Sequence, residues 1–214
     1  MRNRRRTVVL VHGLWYGAFS LKLMGRRLES KGLGCCFFAY PTLRRSIAES
    51  ARGLHRFARG LNASTLDFVG HSLGGLVILR MLDEYGDLPS GRVVLLGSPV
   101  TGSAVARRLA EWPVARRLIG RSGQILTAGF AHAPSRHETG VIAGTQGMGL
   151  GRAIERLDRP HDGTVSVSET RLSDAADQLQ LPVSHSGLVV SARVASEVAS
   201  FLEQGRFRRT SAAP

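Results

Sequence analysis

The 214 residues are 43% hydrophobic and 21% charged, enough to bury a sizeable core in one domain. No apolar run approaches the roughly 18 residues of a membrane span, which excludes a transmembrane helix. The balance of 29 basic and 16 acidic residues leaves a net charge of +13. The adjacent cysteines Cys35 and Cys36 would point to opposite faces of a strand, which argues against a disulfide between them and a zinc site and predicts two buried small hydrophobes.

Arg2 and Arg4 to Arg6 begin the chain and are expected to form a solvated tail over residues 1–6. "TVVLV", Thr7 to Val11, follows as the first strand. A basic and then apolar start has the order of a signal peptide. Here the apolar part runs straight into His12-Gly13 with no cleavage pattern, so the expected location is cytoplasmic. From Phe19 to Gly32, Leu21, Met24 and Leu28 recur at helical spacing. Gly34 to Pro41 reads as a second strand stopped by proline. Leu43, Ile47, Ala51, Leu54 and Ala58 then share one helical face.

Leu66 to Gly70 is a third strand, and Leu73 to Gly86 a helix ending at glycine. A fourth strand runs from Arg92 to Pro99 and a short helix from Ser103 to Pro113. A fifth strand covers Gly140 to Thr145, a sixth Asp177 to Val183, and a last helix Leu188 to Gly205. Strands that alternate with helices and are continuously apolar predict a parallel sheet covered on both faces. The expected fold is a single α/β domain over residues 7–207, with about six strands and a C-terminal tail over 208–214.

In such a sheet the chemistry lies in loops at the carboxyl ends of strands. After the first strand comes His12-Gly13-Leu14-Trp15-Tyr16-Gly17. After the third comes Gly70-His71-Ser72-Leu73-Gly74-Gly75. After the fifth comes His161-Asp162-Gly163-Thr164, and after the sixth Ser184-His185-Ser186-Gly187. A serine, an aspartate and a histidine thus stand at successive strand ends. A Gly-x-Ser-x-Gly string alone is weak. It gains weight from the strand before it and the helix after it, because a strained turn between them needs small flanking residues.

The series "VLVHG", "FVGHSLGG", "LLGSP", "HDGTVSV" and "SHSGL" resembles the α/β-hydrolase superfamily, in particular small bacterial lipases and esterases, over about Thr7 to Phe207. The resemblance implies Ser72 as nucleophile, His185 as base and Asp162 as the acid that orients it. It also implies the backbone N–H groups of Leu14 and Leu73 as an oxyanion hole, with no metal and no organic cofactor. Trp15, Tyr16 and His71 are expected around the substrate, and for Trp15 or Tyr16 core packing under the loop is the competing role. His12 is expected to hold the oxyanion loop by hydrogen bonds. Ser98, Pro99 and Ser103 would line the site without doing chemistry.

Two departures stand out. The family's usual fold has two further strands before the His-Gly strand, so the sheet here is a reduced one. No long insert follows the fourth strand, so little or no lid is expected beyond a small flap over Leu109 to Gly129.

Other assignments compete. Asp158 and Asp174 are rival acids. His55 reads as a surface residue in mid-helix, and His161 adjoins Asp162 too closely to be its partner. His132 and His137 with Glu138 form a remote metal alternative. The expected activity is hydrolysis of small or lipid carboxylic esters through an acyl-enzyme. Thioester hydrolysis and acyl transfer on the same residues stay open. A catalytically silent relative binding nucleic acid or anionic membrane through its arginines, and a small-molecule receptor, are alternatives of other classes. The arginines are scattered without interleaved aromatics, so no specific nucleic-acid partner is expected, while weak association with anionic membrane stays open.

Overall fold

The computed structural model describes residues 6–130, 137–148 and 154–208. Its strands are β1 (Arg6–Val11), β2 (Gly34–Phe38), β3 (Thr65–His71), β4 (Val93–Leu96), β5 (Thr139–Gly144) and β6 (Asp177–Leu181). They form one sheet in the order 2-1-3-4-5-6, with every pairing parallel. The helices are α1 (Lys22–Glu29), α2 (Ile47–Arg59), α3 (Leu73–Glu84), α4 (Ala104–Glu111), α5 (Gly123–Ala128), α6 (Gly187–Val190) and α7 (Ala192–Gln204).

Alternation along β1 divides the core. Val9 and Val11 join Leu54, Phe68 and Leu76 in one cluster, which α2 and α3 cover. Val8 and Leu10 join Met24, Val198 and Phe201 in the other, which α1 and α7 cover. Both sheet faces are therefore dry, which is why the central strands read as unbroken apolar runs. The chain leaves β1 for one edge and returns to the other side of β1 as β3. That reversal opens a crevice beyond the carboxyl ends of β1 and β3.

Several boundaries differ from expectation for identifiable reasons. Helix α2 begins at Ile47, because Ser46 Oγ accepts the Glu49 N–H while the Glu49 carboxylate accepts the Ser46 N–H. Leu43 therefore lies outside the helix. The last helix is two: Ser191 is extended, and its Oγ accepts the Val194 N–H to start α7 afresh. Helix α3 stops at Glu84 with an extended Tyr85, not at Gly86. Strand β2 ends at Phe38, short of Pro41, and β6 ends at Leu181, short of Val183. Strand β4 ends at Leu96, short of Pro99, because Gly97 (φ +55°) turns the chain away.

Arg6 does not belong to a solvated tail. It sits in β1, and its Nε lies 2.5 Å from Oδ2 of Asp67, which is fully buried and also accepts the Arg92 N–H at 2.8 Å. A carboxylate so deep is tolerable only with several donors. His55 is buried rather than superficial: its ring stacks on Tyr85 at 4.0 Å, and Nε2 lies 2.7 Å from Asp87 Oδ1. Cys35 and Cys36 are free and half-buried on edge strand β2, less covered than expected. Burial, then the nearby Glu29, pushes the Cys35 thiol up to about 12. Arg2, Arg4, Arg5 and Arg209 lie outside the described residues. Among the described residues no helix is long and apolar enough to cross a membrane.

Candidate active site

Strand β3 ends at His71 and α3 begins at Leu73, leaving Ser72 alone at the turn with φ 53° and ψ −122°. A non-glycine residue in that region stores about 1–3 kcal/mol of strain, which the surroundings must hold. They do so by close backbone approach. A Cβ on Gly74 would lie 2.2 Å from the Val11 carbonyl oxygen and 2.6 Å from that of His12. One on Gly75 would lie 2.1 Å from Ser98 Oγ. The glycines let the start of α3 rest directly on the ends of β1 and β4, with Ser72 raised between them.

The loops after β5 and β6 bring together the expected acid and base. His185 Nδ1 lies 2.7 Å from Asp162 Oδ2, and both side chains are buried. Asp162 Oδ1 accepts the N–H groups of Thr164 and Val165 at 2.9 and 2.8 Å, and the Asp162 carbonyl accepts the His185 N–H at 2.9 Å. With the carboxylate accepting at Nδ1, the proton sits there and Nε2 is left as an acceptor. Gly97 makes room for the pair, since a Cβ on it would fall 3.0 Å from Asp162 Oδ2 and 3.3 Å from His185 Nδ1. The rival acids Asp158 and Asp174 are exposed and bond elsewhere or not to His185. His161 Nδ1 accepts the Gly163 N–H, bracing the turn that carries Asp162.

The loop after β1 closes the third side. His12 Nδ1 lies 3.0 Å from the Gly13 carbonyl, its Nε2 accepts the Tyr40 N–H, and the Tyr40 hydroxyl donates to the His12 carbonyl at 2.9 Å. Burial lowers the His12 pKa, in keeping with a neutral ring that donates at one nitrogen and accepts at the other. A Cβ on Gly13 would stand 3.0 Å from Ser72 Cβ, so Leu14 follows immediately beside the serine. Leu73, as the first helical residue, has an N–H without an intrahelical acceptor.

Trp15 takes φ 60° and lies over the crevice, with Nε1 donating to the Leu118 carbonyl at 2.9 Å. The Tyr16 hydroxyl lies 2.7 Å from Ser186 Oγ, linking this loop to the one that carries His185. His71 departs from the expected place in the pocket wall. It is fully buried behind the turn, and its Nε2 lies 3.1 Å from the His185 carbonyl. A carbonyl only accepts, so Nε2 carries the proton. Burial, then His185 and His12, hold the His71 pKa well below its ordinary value, and the ring is neutral.

Ser72 and His185 face one cavity of about 260 Å³, without a direct hydrogen bond between their side chains. Leu14, Trp15 and Tyr16 line it, as do Pro99 and Ser103, while Ser98 is buried behind it. Its far wall is apolar: Val105, Ala106, Leu109, Ile119 and Leu126 come from residues 104–128, which form a small cap. The flap expected over Leu109 to Gly129 thus starts earlier, at α4. Val105 and Ala106, which precede the expected flap, are with Gly97 and Ser186 the residues that sequence reasoning missed. Only Gly97, in "LLGSP", carried a signal. A larger hollow of about 500 Å³ on the other side of α4 is lined by charged residues such as Arg107, Glu111 and Glu169, away from Ser72. No group of three metal-ligating side chains occurs among the described residues; Glu138 pairs with Arg92 at 2.6 Å, and His132 lies outside them.

The sequence profile of the Alpha/beta hydrolase family matches residues 8–197. No curated protein matches the chain. Among solved structures, the propeptide form of the Bacillus licheniformis lipase BlEst2 is similar, with TM-score 0.79 and 19% identity over 97% of this chain and 52% of that one. The chain thus spans about half the length of that lipase. A metagenomic carboxyl esterase, MGS0156, has TM-score 0.66 and 19% identity over 96% of this chain and 77% of that one. The type II thioesterase BorB from the borrelidin biosynthetic cluster has TM-score 0.64 and 14% identity over 94% and 93%.

Proposed function

Since the chain belongs to the Alpha/beta hydrolase family, we propose that it is a serine hydrolase that cleaves carboxylic esters through an acyl-enzyme. One observation carries the reading: an Asp162–His185 pair at 2.7 Å opens onto the same apolar-walled cavity as a serine held at positive φ. A serine hydroxyl is a weak nucleophile until a base takes its proton. His185 Nε2 takes that proton as Ser72 Oγ bonds to the ester carbonyl carbon, and the carbonyl oxygen becomes an oxyanion. The N–H groups of Leu14 and Leu73 hold that oxygen, each such donor contributing about 3 kcal/mol to the transition state. Asp162 stays ionised and stabilises the imidazolium. The carbonyl re-forms, the C–O bond to the alcohol breaks, and His185 returns its proton to the leaving oxygen. Water then repeats the sequence on the acyl-enzyme, releasing the acid and restoring Ser72.

The apolar cap wall suits the acyl chain of a small or lipid ester. The test is labelling by a fluorophosphonate probe, which reports an activated serine without presupposing a substrate. Native protein should label, and Ser72→Ala and His185→Ala should not. A panel of p-nitrophenyl esters, with a thioester and an added alcohol acceptor, then assigns the acyl donor and acceptor, with kcat falling by up to about 10⁶-fold in Ser72→Ala. Folded native protein that does not label overturns the reading.

A further inference from the structure

We propose that the cap face around the cavity mouth docks on an anionic lipid surface. The stretch between α4 and α5 leaves Trp112 57% and Val114 79% exposed, with Leu118 also outside. The stretch meets the mouth at Leu118. The Arg116 N–H bonds the Trp112 carbonyl at 2.8 Å, and Trp15 Nε1 bonds the Leu118 carbonyl, which places the exposed Trp15 ring against the same stretch. Exposed Met148 lines the cavity with Trp15. Large apolar side chains standing together in water mark an interaction surface.

Charge selects the occupant. Arg116, Arg117 and Arg121 lie in this stretch, and Arg108, near the end of α4, places its guanidinium 5.3 Å from the Trp112 ring centre. The nearby acids are already engaged: Glu111 holds Arg108 at 2.6 Å, and Glu49 holds Arg121 at 3.3 Å. Arg116 and Arg117 make no ion pair among the described residues. The face is thus apolar at its tips and positive around them. A second copy docked through the same patch would bring like charges together. A polynucleotide would satisfy the arginines but leave Val114 and Leu118 in water. A bilayer of anionic lipid meets both needs. Indole rings settle at headgroup level, aliphatic tips sink below it, and guanidinium groups reach the phosphates. Docked this way, the cavity mouth opens at the depth where lipid ester groups lie.

The experiment is co-flotation of the Ser72→Ala full chain, which cannot consume lipid esters, with phosphatidylcholine vesicles with and without phosphatidylglycerol. Binding is expected to be far stronger with the anionic lipid and should weaken as salt rises. In the same background, Arg116→Ser with Arg117→Ser should cut partitioning about 30-fold. Trp112→Ser with Val114→Ser should abolish the binding that survives in high salt. In otherwise native protein, both pairs should hydrolyse soluble p-nitrophenyl acetate at the native rate, which shows that they fold. Equal binding to both vesicle types, no binding, or patch variants that bind like their parent would overturn the inference. So would a dimer in light scattering that the patch variants dissolve, or a preference for nucleic acid over vesicles. Vesicle binding without ester hydrolysis defeats the proposed function alone; hydrolysis without vesicle binding defeats this inference alone.

Discussion

The floor of the cavity and its cap are built on different principles. On the floor, backbone meets backbone: the start of α3 lies so close to the end of β1 that no Cβ fits on Gly74, and Ser72 is held at φ 53° by that contact. The cap consists of short α-helices joined by 3₁₀ turns, with Trp112 and Val114 in water. A close backbone approach, at Gly120 (φ +54°) against the Leu43 carbonyl, anchors the cap on the body of the domain and places no atom beside Ser72. In the proposed mechanism the floor fixes where atoms react, and side chains of the cap decide what fits over them.

The largest effects should come from the floor. In Asp162→Asn, the Thr164 and Val165 N–H groups keep an oxygen at the Oδ1 position, so the amide nitrogen must face His185. The amide donates to Nδ1 and drives the proton to Nε2, the atom that accepts from Ser72 in the proposed mechanism. A fall in kcat of about 10⁴-fold, with the fold intact by circular dichroism, is expected. A loss under tenfold would mean that Asp162 is not the orienting acid. Gly74→Ala acts on stability instead. Its Cβ meets two backbone carbonyls that cannot rotate away, and the cost should reach about 3 kcal/mol in urea unfolding. Trp112→Ala in the cap should change stability by only about 0.5 kcal/mol. Equal costs at the two sites would erase the contrast.

A smaller effect should appear just beneath the floor. His71 donates from Nε2 to the His185 carbonyl, tying the residue before Ser72 to the backbone of His185. His71→Leu leaves that carbonyl without its donor, a cost of about 1–3 kcal/mol. Expressed at the transition state, this is a drop in kcat of about 10–100-fold with KM unchanged, and His71→Gln, which can still donate, should recover part of it. A purely structural role would not give that split. The pH dependence has a definite sign. Buried His71 stays neutral below its ordinary value of 6.5, whereas in the unfolded chain it takes up a proton there. The unfolded state then binds more protons, so stability falls as pH drops below about 6.5. His71→Gln should flatten that fall.

The contrast between floor and cap also explains what the sequence reveals. The strands are buried on both faces and so appear as apolar runs. Ser72, Asp162 and His185 stand at strand ends because the loops there converge on one crevice, so order along the chain already places them together. What stays hidden depends on partners distant in sequence. Arg6 looks like one more arginine of a tail until Asp67, on the neighbouring strand, is seen to need it. His55 looks superficial until Tyr85 and Asp87 close over it. The break at Ser191 follows from one side chain capping a new helix inside a pattern that stays amphipathic through it. The cap has neither strand runs nor long helical periodicity, and only its contacts reveal it as a wall.

The smallest predicted effect on turnover isolates that wall. Ala106 lies on α4, buried against the cavity, and its backbone N–H is already held by Ser103 Oγ at 3.2 Å, so a larger side chain there need not disturb the helix. Ala106→Leu adds three carbons to a space of about 260 Å³. Short acyl groups, which occupy the end nearest Ser72, should be turned over at the native rate. Longer groups, which must reach the cap, should lose about tenfold in kcat/KM, the scale set by a few methylenes in an apolar pocket. A ladder of p-nitrophenyl esters of increasing chain length reads this directly. A shift of the optimum toward shorter chains assigns acyl selection to the cap. A uniform loss across the ladder would mean that the substitution reaches Ser72, and that floor and cap do not divide the work as their construction implies.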